Sequence, residues 1–210
     1  MEYKEFYRRN LPHIQPKDSV LFVSYRLYFE LPGDFIFSLN KMKAEFRRKT
    51  SSLSIKEREM EKYKFEIELF EFEDNYLGKF RNSPLWLMNP QIAEVVKDSL
   101  FWIQKKYYDL FAFCIMPNHV HLVIRPNEKN DKPFPLQKIM YDHKHFTALE
   151  ANKVLNRKGR FWQEEHYDHY IRDDKDFYRI MNYIYQNPVL ADLVDEPEEW
   201  KYTYINEELC

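Results

Sequence analysis

Apolar residues follow two different spacings along the 210-residue chain, and this difference predicts both strands and helices. Residues 19–31 and 111–126 are rich in aromatic and β-branched side chains, which is typical of strands. Pro32 and Gly33 then mark a turn after the first of them. Residues 84–110 instead carry apolar side chains at helical spacing: Ile92, Val95, Val96, Leu100 and Ile103. We therefore predict a strand, a core helix that begins near Asn89-Pro90, and a second strand.

The C-terminal half continues with helical and extended patterns. Residues 136–155 predict a helix, residues 161–172 a short strand or extended segment, and residues 173–187 a further helix. We expect that last helix to end near Asn187-Pro188, because proline disfavours helical backbone at the residue before it. Residues 1–18 are polar and are expected to end in a loop.

Residues 34–82 interrupt this order with a segment dense in Lys, Arg and Glu. Its apolar residues are mostly at helical spacing, and this pattern is interrupted near Thr50. The segment therefore predicts a helical hairpin inserted after the first strand. Ser54 and Glu57 have the spacing of a capping box at the start of the second helix. A solvated amphipathic hairpin explains this composition; alternatively, its basic cluster contacts phosphates. That cluster comprises Lys41, Lys43, Arg47, Arg48 and Lys49.

Composition excludes several classes of function. The chain has only three Gly and no phosphate-binding glycine loop, and its net charge of −2 means that any nucleic-acid binding must use a local basic patch. Cys114 and Cys210 are far apart, which argues against a disulfide framework and for a reducing compartment. No apolar run approaches the ~18 residues needed to cross a bilayer. We expect a soluble, cytoplasmic protein without a membrane partner.

The pair His119 and His121 is the first candidate for chemistry. Side chains at positions i and i+2 of a strand share one face, so both imidazoles project together while Val120 points away. Such a pair can bind a divalent metal, because the strand fixes the spacing of the ligands; the alternative is two surface histidines on a half-buried strand. His143 and His145 diverge by about 200° on a helix and cannot share a metal in this way.

Three segments together resemble the single-tyrosine transposases of the HUH endonuclease superfamily, especially the REP-associated tyrosine transposases. They are MPNHVHLVI, FWQEEHYDHYIRD and YIYQNPVLADLV. The resemblance covers about residues 19–31 and 84–195, whereas residues 34–82 depart from the family pattern. It implies one α+β domain over residues 1–210, with a ferredoxin-like (RRM-like) antiparallel sheet, helices on one face and the helical hairpin inserted at about 34–82.

The resemblance also implies the site residues. Tyr183 would be the nucleophile, and His119, His121 and Asn187 would hold a divalent metal, Mg²⁺ or Mn²⁺. Asn187 follows Tyr183 by one helical turn and so shares its face. The residues alone leave two alternatives open. Asn187 is a natural helix C-cap, and three other tyrosines compete as nucleophile: Tyr167, Tyr178 and Tyr185.

By this resemblance the chain would be a metal-dependent single-stranded DNA endonuclease and strand transferase that forms a 5′-phosphotyrosine at hairpin or REP-like DNA. It would act as a monomer or a homodimer. Alternatives are a catalytically silent nucleic-acid-binding regulator on the same fold, and a metal-dependent hydrolase without a covalent step. Trp162 is also explained by core packing. Gln163 and His166 are candidates to support the site or contact DNA, and surface or packing roles also explain them. The predicted DNA contacts are Lys144, Lys153, Arg157, Lys158, Arg160, Trp162, Gln163 and Arg172.

Overall fold

The computed structural model describes residues 2–8, 12–79 and 82–209. Strands and helices alternate along the chain. In order they are β1 (Phe6–Arg8), β2 (Pro12–Ile14), β3 (Leu21–Arg26), α1 (Gly33–Thr50), α2 (Ile55–Gly78), α3 (Pro90–Tyr107), β4 (Tyr108–Ile115), β5 (His119–Pro126), β6 (Glu128–Lys129), β7 (Lys132–Pro133), α4 (Leu136–Val154), β8 (Tyr167–Tyr170), α5 (Asp174–Leu190) and β9 (Thr203–Ile205).

The central sheet has five antiparallel strands in the order β8-β3-β5-β4-β9. The succession β3-α3-β4-β5-α4-β8 is the β-α-β-β-α-β pattern of a ferredoxin-like fold. This confirms the predicted fold class. It also places β5, with both histidines, between β3 and β4 and away from either edge of the sheet.

Helices α3 and α4 cover one face of the sheet, and α5 lies on the other. On the first face the core joins Val23 and Leu122 of the strands to Ile92 and Ile139 of these helices. Asn89 caps α3 through its side chain and Pro90 follows as the first helical residue, as predicted. Helix α5 contacts the opposite face through ring pairs such as Phe111 with Phe177, whose centroids are 5.7 Å apart. Helix α5 therefore lies on the face of the sheet to which His119 and His121 project.

A buried polar cluster ties β3 to the two core helices. The His143 imidazole lies between the Tyr25 hydroxyl, 2.7 Å from its Nε2 atom, and the Ser99 hydroxyl, 2.9 Å from its Nδ1 atom. Burial lowers the pKa of His143 to about 3, so the ring is neutral and can donate one hydrogen bond and accept the other. His145, two residues on, is exposed and stacks on Tyr141. The two histidines point apart, as the helical geometry requires.

Some predicted boundaries were wrong. The strand expected over residues 19–31 is β3, which ends at Arg26. The stretch 111–126 is not one strand but most of a hairpin, because the chain turns at residues 116–118, which include Pro117. Helix α5 does not end at Asn187 but continues to Leu190 with Pro188 inside it. The missing proline N–H removes one helical hydrogen bond, but Pro188 is buried and the Ala191 N–H still donates to the Asn187 carbonyl at 3.1 Å.

The N-terminal residues form structure that the sequence pattern did not predict. Strands β1 and β2 pair as a small antiparallel hairpin, with Phe6 opposite Ile14. The C-terminal aromatic residues pack against the sheet, where the Trp200 indole N–H donates to the Ile115 carbonyl at 3.0 Å. Cys114 is buried and its sulfur contacts the Thr203 hydroxyl, whereas Cys210 lies outside the described residues.

Residues 29–81 form a second compact unit, and residues 1–28 with 82–210 form the first. Within the second unit, helices α1 and α2 pack through stacked rings, with centroids 5.1 Å apart for Phe35 and Phe72 and 4.2 Å apart for Phe46 and Phe65. The predicted capping box is confirmed at the start of α2. None of the described helices is both long enough and apolar enough to cross a membrane.

We expect His143→Ala to lower the free energy of unfolding by about 3–5 kcal/mol, because it leaves a cavity and two buried hydroxyls without their partner. Urea denaturation followed by circular dichroism measures the change. His145→Ala is the matched control and should stay within about 0.5 kcal/mol of the wild type, since its ring is exposed. Equal effects of the two substitutions would contradict the structural role of His143.

Candidate active site

His119 and His121 converge on one face of the central strand. Both side chains are buried, and their Nε2 atoms are 3.0 Å apart. Two bonds of ~2.1 Å that meet at a right angle place their donor atoms roughly 3.0 Å apart. The observed separation therefore fits two ligands of one octahedral ion, and both rings present the same nitrogen to it.

Asn118 orients the first of these rings. Its side-chain oxygen lies 2.6 Å from His119 Nδ1 and accepts that N–H, so that Nε2 is the unprotonated nitrogen. The Asn118 amide in turn donates to the Ser83 hydroxyl at 2.8 Å. Asn118 was not among the residues predicted from the sequence. Its signal was an amide directly before the histidine pair, at the start of the strand.

His121 is held in its neutral form by its surroundings. Its ring stacks on Phe22, with centroids 5.7 Å apart, and is fully buried. Burial lowers the pKa of His121 to about 3, far below the ordinary value near 6.5. Neutral imidazole is the form that binds a metal, so His121 remains competent as a ligand throughout the physiological range.

Tyr183 is the tyrosine that α5 places against this pair. Its ring is half-buried, 5.4 Å between centroids from His121 and 6.4 Å from Phe22. Two of the three competing tyrosines lie elsewhere. Tyr185 donates its hydroxyl to the Glu198 carboxylate, and Tyr178 is exposed.

Two further candidates remain to be placed. Tyr167 on β8 contacts Phe22 edge to face, with centroids 6.2 Å apart, and so lies on the same face as Tyr183. Asn187 is buried on α5, one turn beyond Tyr183. It is not the helix C-cap, a position that Ala191 occupies. Its side chain is therefore not required to end the helix, and it remains the predicted third ligand.

Two of the predicted DNA contacts are engaged inside the protein. Trp162 is buried, and its indole N–H donates to the Thr147 hydroxyl at 2.8 Å, so it packs in the core rather than stacking on a base. The Lys144 ammonium donates to the carbonyl oxygens of Gln163, Glu164 and Glu165 at 2.9 to 3.3 Å. Lys144 therefore anchors the segment before β8.

The other predicted contacts are more accessible. The Arg157 guanidinium lies over the Trp86 ring at 4.2 Å. It also donates to the Arg160 carbonyl and so stabilises the turn that follows α4. Lys158 and Arg160 project from that turn and are exposed, as are Lys153, which pairs with Glu150, and Arg172 after β8. Gln163 is half-buried beside the turn. We refer to Lys158 and Arg160, the two exposed basic residues of the turn after α4, as the basic turn.

The chain resembles known transposases in sequence. Residues 86–187 match the family described as transposase IS200-like. A Haemophilus influenzae protein named as a candidate REP-associated tyrosine transposase is 33% identical over 104 residues, which is 46% of this chain and 58% of that protein. A REP-associated tyrosine transposase of Escherichia coli K12 is 23% identical over 104 residues, 49% of this chain and 58% of that protein. The chain thus spans about three-fifths of the length of these relatives.

A solved structure has the same fold. It is described as a REP-associated tyrosine transposase bound to a REP hairpin, and it matches with a TM-score of 0.51 and 16% identity over 94% of this chain and 80% of that one. The family match includes the histidine pair, Tyr183 and Asn187. Through residues 86–187, the chain is thus similar in sequence to the IS200-like transposase family.

Proposed function

We propose that this protein is a DNA nicking and joining enzyme that cuts single-stranded DNA through Tyr183 and a divalent metal. One observation supports this most directly: the Tyr183 ring packs against His121, one member of a buried and neutral imidazole pair. The proposal extends to hairpin-containing DNA as substrate, because the structural relative is described with a REP hairpin bound.

The chemistry follows from the groups at the site. The Tyr183 phenolic oxygen attacks phosphorus and forms a new P–O bond, while the bond from phosphorus to the 3′ oxygen breaks. The phenol proton leaves to solvent and the released 3′ oxygen takes up a proton. The products are a 5′-phosphotyrosine and a free 3′-hydroxyl. Attack by a 3′-hydroxyl on the phosphotyrosine reverses the step and joins strands without ATP.

His119, His121 and Asn187 are the residues that would hold the ion. Mg²⁺ or Mn²⁺ suits two imidazole nitrogens and one amide oxygen with positions left open, and when bound it neutralises charge on a phosphate oxygen. Asn118 fixes the tautomer of His119, and burial keeps His121 neutral. These contacts hold the ligand nitrogens ready before any ion binds.

We expect Tyr183→Phe to abolish covalent capture of DNA while binding is retained, because only the hydroxyl is removed. The test uses a hairpin-flanked single-stranded oligonucleotide with Mn²⁺, followed by denaturing electrophoresis. A 3′-end label should appear on the protein and a 5′-end label should not, since the downstream fragment carries the phosphotyrosine. Tyr185→Phe, two residues away, should still form the adduct.

Each other outcome points to a different function. An adduct with Tyr183→Phe would show that another tyrosine is the nucleophile. Metal-dependent cleavage by the wild type without an adduct would support the hydrolase, and binding without cleavage would support the silent regulator.

We expect His119→Ala or His121→Ala to reduce adduct formation about 100-fold or more, with hairpin binding within a few-fold of the wild type. EDTA should abolish the wild-type adduct, and added Mn²⁺ should restore it. His145→Ala removes an exposed imidazole from the middle of α4 and serves as the control. Adduct formation that persists in EDTA, or in both histidine variants, would refute the metal site.

We expect the double substitution Lys158→Ala and Arg160→Ala to weaken hairpin binding. It should also reduce the slope of log Kd against log salt concentration by the amount expected for the loss of about two phosphate contacts. Fluorescence anisotropy at several salt concentrations measures both quantities. Lys105→Ala with Lys106→Ala removes the same charge from the end of α3 and should change neither. Equal effects of the two pairs would mean that the basic turn acts through net charge alone.

A further inference from the structure

A second cluster of metal-ligating side chains lies at the other end of the sheet. It joins His13 on β2 to His166 and Asp168 at β8, and the three side chains offer donor atoms within 4.8 Å of one another. The side chains of His13 and Asp168 have no exposed surface, and His166 is buried. Two imidazoles and a carboxylate that are all buried suit zinc or a similar transition-metal ion better than magnesium.

The Oδ1 atom of Asp168 is the centre of this cluster. It contacts His13 Nδ1 directly and lies 3.7 Å from His166 Nε2. Tetrahedral zinc with bonds of ~2.0–2.1 Å needs donor atoms roughly 3.3–3.4 Å apart. An ion bound here would take the place of the hydrogen bond between His13 and Asp168, and these two side chains would move apart to the spacing of zinc ligands.

The surrounding contacts orient two of the three donors, those of His13 and Asp168. The His13 Nε2 atom lies 3.0 Å from a Glu165 carboxylate oxygen, so the proton on Nε2 leaves Nδ1 as the ligand atom. The Gln15 amide donates to the other Asp168 oxygen at 3.1 Å, which leaves Oδ1 for the ion. A carboxylate behind a ligating histidine is the usual support of a zinc site.

The two carboxylates of this cluster together carry the charge that a divalent cation would neutralise. Asp168 and Glu165 bring two negative charges, while His13 and His166 are neutral when they act as ligands. Buried carboxylates are costly unless positive charge compensates them. A bound zinc ion balances both carboxylates and ties the N-terminal hairpin to the outermost strand of the sheet.

We propose that His13, His166 and Asp168 form a zinc site that anchors the β1–β2 hairpin to β8. The site is separate from His119 and His121. Those residues project from the other face of the sheet, and β3 lies between their strand and β8. A three-residue strand pair is only marginally stable alone. The Tyr7 ring stacks on His13 at 4.4 Å, so both strands of the hairpin would be held by the one ion.

The test removes the proposed catalytic ligands first, so that it does not depend on the proposed function. Protein with His119→Ala and His121→Ala is stripped with a chelator and titrated with Zn²⁺ by calorimetry. We expect one equivalent to bind and Zn²⁺ to raise the Tm by several degrees. Co²⁺ in place of Zn²⁺ should give the visible absorption of a four-coordinate site with nitrogen and oxygen ligands.

Adding His166→Gln or Asp168→Asn to this protein should abolish the bound equivalent and the rise in Tm. His169→Gln is the matched control: His169 is on the same strand but pairs with Asp176 of α5 on the opposite face, at 2.9 Å. Circular dichroism of the stripped variants checks that they fold. Zinc that still binds one equivalent in both His166→Gln and Asp168→Asn, or that fails to bind the starting protein, would overturn the proposal.

Discussion

The pairing of β5 between β3 and β4 is the constraint on which the candidate site depends. Ser24 and Cys114 lie directly opposite His121 on the two neighbouring strands, so the register sets which face the imidazole takes. A slip by one residue would turn both histidines toward the core and Val120 toward α5. The apolar side chains of Leu122 and Ile124, buried against α3 and α4, oppose such a slip.

This arrangement prepares the two imidazoles before any ion or substrate arrives. Strand geometry sets their spacing, the Asn118 side chain fixes one tautomer, and burial beside Phe22 keeps His121 neutral. Ligand groups held in place by neighbouring contacts lose little conformational freedom when they bind. Helix α5 then adds Tyr183 from across the same face, so the proposed nucleophile and the two histidines come from separate elements.

Strand β8 links the two histidine clusters of the protein. Asp168 faces the N-terminal hairpin, whereas His169 faces α5 and bonds to Asp176 near the start of that helix. Successive residues of one strand therefore contact the proposed zinc site and the helix that carries Tyr183. An ion that holds the hairpin on β8 would also restrain the outer strand on which the first turn of α5 rests.

Local chemistry was enough to predict much of this protein. The strand HxH pattern placed His119 and His121 on one face, the capping residues located the starts of α2 and α3, and the spacing of four residues put Asn187 on the face of Tyr183. Each of these depends on contacts within a few residues along the chain. The resemblance to single-tyrosine transposases supplied the proposed role of Tyr183, because periodicity alone could not distinguish this tyrosine from its neighbours.

Tertiary packing decided the rest. Burial of Pro188 carried α5 past the point where local backbone preference would end it, and packing engaged Trp162 and Lys144 in hydrogen bonds within the protein. His13 had no sequence signal, because its partners are more than 150 residues away along the chain. Only the folded sheet brings such distant residues together, since pairing between strands does not depend on sequence separation.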